Sequence, residues 1–528
     1  MPDLNNDKRR RNKLILILSS VPLLIHLYVN AFAGYGYFRD ELYYIACSSR
    51  LDTGYVDQPP FSVLILYLNR LLLGDSLFAL RFLPAVNSAL TVFITCLMTE
   101  KLGGKTFAII LSALAVIFAP VYTAMNSFYS MNSFDILLWA LAFYFIILII
   151  EDNKESKESK ESKGGKASKQ SYWILLGLVL GIGLMNKIGF LWLGFGLLAG
   201  LLLSDKRKLL LTFKPYLAAG IALLIFTPYI IWNFQNDFAH IEFIRNATSE
   251  KYSGLDIMDF LTGQFLNMNP VAVIIWMSGL YFLLFDHEGN KFRILAVIYI
   301  TAFLILIING HSKAEYLSPA YTILFAAGSV FIEKKTFVRL RWIRYAVSIP
   351  LVVIGIIITP LALPVLPVET FIQYSKAIGM TPASSEDKEL SELPQFYADM
   401  HGWEELADNV SRVYQSLPPE ERSRTVIFGQ NYGEAAAIEF FRDKYPVPKV
   451  ISSHNNYWLW GPGDIEDPVI IIIGGNKEDH LNVFETVEEK AIHTAEYSMP
   501  YENNIPIFVA KNLKAPIGEL WKSIKNYN

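Results

Sequence analysis

The stretch YGYFRDELYYIACSSRLDTGYVDQPPF, residues 35–61, decides how the chain is read. It sets Arg39, Asp40 and Glu41 just beyond a first apolar run, then Asp52 and Asp57 ahead of a Pro59-Pro60 turn that leads into another apolar run. Ionisable groups at an apolar boundary survive only in water or in a protected cavity. Several carboxylates at such a rim mark either a site or the capped first turn of a short interfacial helix, and the residue types support both readings equally.

Around this stretch the chain is largely apolar. Its 528 residues are 53% hydrophobic and only 18% charged, with a mean hydropathy of +0.32, which excludes an ordinary soluble enzyme and indicates a multispanning membrane protein. The 14% aromatic content fits belts at the membrane interfaces. With two cysteines, Cys47 and Cys96, neither a disulfide framework nor a cysteine metal cluster is expected. The net charge of -3 excludes nothing further, and no feature points to nucleic acid.

Crossing about 30 Å of hydrocarbon takes roughly 20 helical residues. On that measure the apolar runs predict eleven spans, near 14–33, 77–99, 106–124, 134–150, 172–186, 188–204, 215–232, 270–285, 294–309, 317–332 and 345–363. The two that meet at Asn186 and Lys187 read equally as one long broken helix. Residues 61–73 are shorter and follow two prolines, so they read as an interfacial helix. The first run is long and lacks a small-residue cleavage site, which marks a retained anchor.

Lys and Arg in short loops stay on the cytoplasmic side. The basic cluster Lys8 to Lys13 therefore places the N-terminus inside, and alternation leaves 100–105, 151–171, 205–214, 286–293 and 333–344 inside as well, each of them rich in Lys or Arg. Residues 151–171 form a low-complexity Lys, Glu and Ser tract, expected to be a disordered cytoplasmic linker. The outer segments are then 34–76, 125–133, 233–269 and everything after about 364.

Beyond the Pro-rich 360–368 the composition changes, and residues 385–528 read as a soluble α/β domain outside the cytoplasm. Trp403, Leu406, Val410 and Val413 recur at helical spacing, with Pro418 and Pro419 as the stop. TVIFGQ and PVIIIIGG read as strands, each followed by a helix. Gly474-Gly475 after the second suits a tight turn better than a phosphate cradle. His454, Trp458 and Trp460 form an aromatic loop suited to a sugar face or to the bilayer surface.

The order of a first span, the RDE segment, Gly-Tyr-Val-Asp-Gln-Pro-Pro at 54–60 and Arg81-Phe82-Leu83-Pro84 resembles the polyprenyl-phosphate-sugar glycosyltransferases of family 39. These include protein O-mannosyltransferases and the aminoarabinose transferases that modify lipid A, all of the GT-C fold. The likeness continues through Trp232-Asn233, the segment His240 to Asn246 and Lys313-Ala-Glu-Tyr316-Leu-Ser-Pro319, and so covers nearly the whole chain. The resemblance implies a polytopic GT-C protein of a cell membrane that moves a sugar from a lipid phosphate to an acceptor hydroxyl on the outer face, with inversion. It assigns Asp40 as general base, with Glu41 orienting Asp40 or the acceptor.

Charge growing on the departing phosphate calls for cations, and few stand on the outer rim. By the resemblance Lys313 with Tyr316 contacts the lipid phosphate, followed by Arg245 and Lys187; snorkelling at a helix end is the plainer account of Lys313. Some relatives hold a divalent ion between residues matching Asp57 and His240, although two residues so far apart are no metal signature by themselves. Gln58 stands where a lysine is common, which removes a fixed charge and weakens any transfer of substrate identity from the lipid A enzymes. The implied partners are a polyprenyl-phosphate sugar, an acceptor on protein, lipid or polysaccharide, and the bilayer. A transporter or lipid flippase is the rival reading; it predicts repeated halves and polar groups at mid-membrane, whereas no repeat occurs here and the ionisable residues other than Lys187 gather at the outer rim.

Overall fold

The computed structural model describes residues 2–161, 169–252, 254–336, 340–380, 382, 389, 391–463 and 466–528. The chain forms two compact units. One comprises Met1–Ala33, Phe78–Ile231 and Leu255–Leu366; the other comprises Gly34–Leu77, Trp232–Gly254 and Pro367–Asn528.

The first unit is helical and membrane-spanning. All eleven expected segments contain helix, but the expected count of eleven spans is not reached on length and composition. Among the described residues six helices are long and apolar enough to cross a membrane: Asn6–Phe32, Leu77–Lys101, Met131–Asp152, Phe213–Gln235, Asn290–Asn309 and Trp342–Ala362. The number rises to eight if the bent pairs Ile188–Leu202 with Asp205–Leu211, and Ile257–Leu266 with Pro270–Phe285, each count as one. Proline explains part of the shortfall, because it has no N–H for the helix ladder. The run from Thr106 stops at Ile117 and restarts with Pro120, and Pro319 sits in a 3-10 turn, Ala314–Ala320, ahead of the helix Tyr321–Lys335. The helix Gln170–Asn186 likewise breaks at Lys187, whose extended backbone (φ -154°, ψ 129°) interrupts the helical path.

Close packing of the helix Val273–Phe285 on Tyr321–Lys335 depends on glycine. A Cβ on Gly328 would lie 1.8 Å from the Ile275 carbonyl oxygen, and one on Gly279 would lie 2.2 Å from that of Leu324. Small residues of this kind let backbones touch where lipid offers no hydrophobic drive for association. The helix begun at Met131 runs on to Glu161, into the tract expected to be a linker, in keeping with the helix preference of Glu and Lys. Residues 162–168 of that tract lie outside the described residues, as does the expected domain start near 385.

The second unit joins the loops 34–77 and 232–254 to the C-terminal α/β region. Strands β1 (Thr425–Gly429), β2 (Lys449–Ser452), β3 (Val469–Ile473), β4 (Phe484–His493) and β5 (Ile505–Leu513) form one sheet in the order β2-β1-β3-β5-β4. β1 pairs parallel with β2 and β3, while β5 runs antiparallel to β3 and β4. β3 is wholly buried, and Ile470 and Ile472 pack with Phe484, Val487 and Phe508 on one face of the sheet. The helix Trp403–Ser416 buries the expected Trp403, Leu406, Val410 and Val413.

Candidate active site

The helix Arg39–Ser48 owes its start to Glu41. This fully buried carboxylate accepts the Phe38 N–H at 2.9 Å, satisfying a backbone group at the helix terminus. Glu41 thus caps the helix that carries Asp40. Asp40, one residue earlier, presents Oδ1 to the Tyr432 hydroxyl, which donates at 2.8 Å. Arg39 Nε lies 3.6 Å from the same oxygen, and 36% of the Asp40 side chain is exposed. Among the described residues Oδ2 of Asp40 accepts no hydrogen bond.

Arg39 is itself fixed, donating to the Tyr501 hydroxyl at 3.0 Å, pairing with Asp399 at 3.6 Å and lying 5.6 Å over the Tyr432 ring. At the far end of the helix Arg50 forms a two-pronged pair with Glu439, stacks 4.4 Å from the Trp460 ring, and shares Glu439 with the Tyr457 hydroxyl. Trp458 and Trp521 exchange indole-to-carbonyl hydrogen bonds of 2.9 Å, and the His454 ring lies 4.8 Å from that of Tyr432, tilted by 49°. The aromatic loop expected to meet a sugar or the bilayer is therefore engaged within its own unit. Gly474 and Gly475 form a tight turn at positive φ, closed by His480 on the Gly474 carbonyl.

The Asp57 turn is held from three directions. The Val56 N–H donates to Asn456 Oδ1 at 2.7 Å, the Val56 carbonyl accepts from His240 Nδ1 at 2.9 Å, and Asp57 Oδ1 accepts from the Tyr43 hydroxyl at 3.1 Å. Gln58 is buried, and its Nε2 has no hydrogen-bond partner among the described residues. Burial pushes the His240 imidazole down to about 4, against the opposing effect of the Val56 carbonyl, so the ring is neutral at pH 7. Its Nδ1–H is committed to that carbonyl, which assigns the lone pair to Nε2, the tautomer of a metal ligand. Asp57 and His240 are chemically suitable donors for an ion whose other ligands are water or phosphate oxygens. No group of three or more His, Cys, Asp and Glu suited to a metal occurs among the described residues. Arg245 is exposed on the last turn of the helix Ala239–Asn246, and the Asn246 amide donates to the Tyr527 carbonyl at 2.9 Å.

The membrane unit carries its own polar cluster. Lys187 Nζ donates to Asn132 Oδ1 at 2.7 Å, lies 3.8 Å from Asp135 Oδ2 and sits 4.9 Å from the centre of the Tyr316 ring. Tyr316 is thus brought together with Lys187. Lys313 immediately precedes the 3-10 turn that carries Tyr316. Leu184, Phe190 and Leu191, close to Lys187 in sequence, help line an apolar cavity of about 510 Å³ that continues past Leu201, Tyr216 and Phe226. Sequence reading missed Asn132, Asp135 and Tyr432. Asp135 had a signal, an acid inside an apolar run; Tyr432 had none.

A polytopic helical unit with a sheet domain of this strand order is the arrangement of the GT-C fold, and the chain has that fold. It is similar to ArnT from Cupriavidus metallidurans bound to undecaprenyl phosphate, at 12% identity with a TM-score of 0.58 over 93% of this chain and 97% of that one. The apo state of that ArnT gives 12% identity and 0.57 over 94% and 98%. The oligosaccharyltransferase AglB from Archaeoglobus fulgidus, in complex with an inhibitory peptide and a dolichol-phosphate, gives 13% identity and 0.47 over 82% and 69%. At these identities the structural likeness speaks for the fold alone. Within the class, residues 57–158 and 162–232 match the family described as dolichyl-phosphate-mannose-protein mannosyltransferase. No curated protein sequence matches the chain.

Proposed function

We propose that the protein moves a sugar from a polyprenyl-phosphate donor to an acceptor hydroxyl at the outer face of the plasma membrane, inverting the anomeric carbon, with Asp40 as general base. The observation that carries this reading is the state of Asp40: one oxygen is fixed by Tyr432, and the side chain is partly open to an acceptor. The acceptor O–H bond breaks as its oxygen bonds to the anomeric carbon, and the proton passes to Asp40 Oδ2. The bond from that carbon to the phosphate oxygen breaks with its electron pair, releasing polyprenyl phosphate. Lys313, Tyr316, Arg245 and Lys187 stabilise the charge on that leaving group. Asp57, Gln58 and His240 serve the acceptor side, and a divalent ion held by Asp57 and His240 would add positive charge there.

ArnT holds undecaprenyl phosphate, and the same class of lipid suits the cavity beside Lys187, which is long and apolar enough for isoprene units. The basic loops support a cytoplasmic N-terminus, with the Asp40 loop and the domain 385–528 on the opposite side. The acceptor hydroxyl belongs to a protein, lipid or polysaccharide. In purified protein reconstituted with a polyprenyl-phosphate sugar, Asp40→Asn is expected to lower turnover at least about a hundredfold while donor binding and melting stay at wild-type levels. Unchanged turnover would falsify the assignment.

A further inference from the structure

The helix Tyr432–Phe440 follows β1, the central strand of the parallel part of the sheet. β2 lies on one side of β1 and β3 on the other, so the carboxyl end of β1 is a topological switch point. In open α/β sheets ligands bind at such points, and the helix N-terminus beside them attracts anions. Here that place is filled by the chain itself. The buried Glu434 carboxylate accepts the Gln430 N–H at 2.7 Å and the Asn431 side-chain amide at 3.1 Å, while Asn431 Oδ1 accepts the Glu434 N–H at 3.0 Å. A helix start closed by its own side chains in this way excludes a phosphate or carboxylate ligand.

The start of this helix is used differently. Tyr432, its first residue, has its ring set against Tyr43 at 4.6 Å and His454 at 4.8 Å, which locks the direction of its hydroxyl. That hydroxyl donates to Asp40. Gly433 beside it has no room for a side chain, because a Cβ would lie 2.6 Å from Arg39 Cγ. A buried tyrosine hydroxyl is ordinarily satisfied by a neighbouring carbonyl. Here the partner is a partly exposed carboxylate far away in sequence, approached closely because the intervening residue is glycine.

We infer that Tyr432 is a positioning residue for the proposed base, so that the C-terminal domain completes the active site by holding Asp40 Oδ1 and turning Oδ2 to the acceptor. This rests on the general-base reading of Asp40. The test uses full-length protein reconstituted with a polyprenyl-phosphate sugar. Tyr432→Phe keeps the ring and loses the donor. It is expected to lower kcat per folded enzyme about tenfold or more and to leave the donor KM within about twofold. Gly433→Ala, which forces the Arg39 side chain beside Asp40 to shift while retaining the tyrosine, should reproduce the kcat loss. A merely structural role would lower the rate only in proportion to the enzyme that is unfolded, so a kcat that returns to wild type once normalised to folded protein overturns the inference, as does wild-type kcat in Tyr432→Phe. If Asp40→Asn is inactive while Tyr432→Phe is normal, only the role of Tyr432 falls. If Asp40→Asn turns over normally, both fall.

Discussion

Replacing Glu434 by glutamine should change how stability depends on pH. Burial raises the Glu434 carboxyl from its ordinary 4.5 to about 7, against the opposing pull of the Gln430 and Asn431 N–H groups. Between those two values the folded protein holds a proton that the unfolded chain has released. Stability from this group is therefore greatest below pH 4.5, falls as the pH rises through the window, and levels off above 7. The size of the loss is about 3 kcal/mol, from the separation of the two values at about 1.4 kcal/mol per unit. Glutamine can still accept the Gln430 N–H and has no charge to bury. The melting temperature of Glu434→Gln relative to wild type should thus climb between pH 5 and pH 8 by roughly 6–10 °C, for a unit of this size. His401 and His493 line the same small cavity as Glu434, and burial lowers both. Their contribution has the opposite sign, since stability is lost as the pH falls and the unfolded imidazoles take up protons. It is common to both proteins and drops out of the difference. Melts of the full chain in detergent, followed by tryptophan fluorescence, give the measurement. A melting difference that stays constant across pH 5 to 8 would refute the buried-charge account of this helix start.

Two further substitutions probe the membrane unit. Lys187→Met, which removes the ammonium and keeps the aliphatic stem, should raise the donor KM of the folded enzyme about tenfold or more and, by leaving the buried Asp135 without its partner, lower the melt as well; an unaltered KM would remove Lys187 from the phosphate site. Gly328→Leu should prevent accumulation of folded protein, since the Ile275 carbonyl already fills the space a side chain needs, whereas leucine at Gly194, which has open space, should be tolerated. Equal expression of the two variants would contradict the packing.

Features carried by local pattern were legible in the sequence. Apolar runs marked the positions of the membrane helices, and the periodicity of Trp403, Leu406, Val410 and Val413 gave the buried face of its helix. TVIFGQ and PVIIIIGG appeared as β1 and β3. Span lengths were less legible, because a hydropathy run continues through Pro120 and Pro319 while the hydrogen-bond ladder does not. β4 was missed because FETVEEKAIH exposes most of its residues and has little apolar signal of its own. Asp40 could be singled out from its neighbours, but its partner could not, since Tyr432 is 392 residues away and sits in an unremarkable Asn-Tyr-Gly sequence. Lys187 ranked behind Lys313 in sequence for a similar reason: a lysine between two apolar runs looks like a loop residue until Asn132, Asp135 and Tyr316 are placed around it.

Asp40, Glu41 and Glu434 are chemically alike, and their different roles follow from position within the first helical turn. In both the Arg39 and the Tyr432 helices the third residue is a buried glutamate that turns back to a backbone N–H, the position from which a side chain reaches the helix terminus. The first two residues point away from the axis and are left for other contacts. Here they meet one another: Tyr432 donates to Asp40, and Arg39 lies against Gly433. Asp40 is consequently near the starts of two helices, each already closed by its own glutamate, and its second oxygen is left to other contacts. A glutamate at position 40 would extend the carboxylate by one methylene, past the Tyr432 hydroxyl. On this geometry Asp40→Glu should retain the charge, lose the hydrogen bond and turn over nearly as slowly as Asp40→Asn, a result expected of a base fixed by direction and not of a carboxylate that only supplies negative potential.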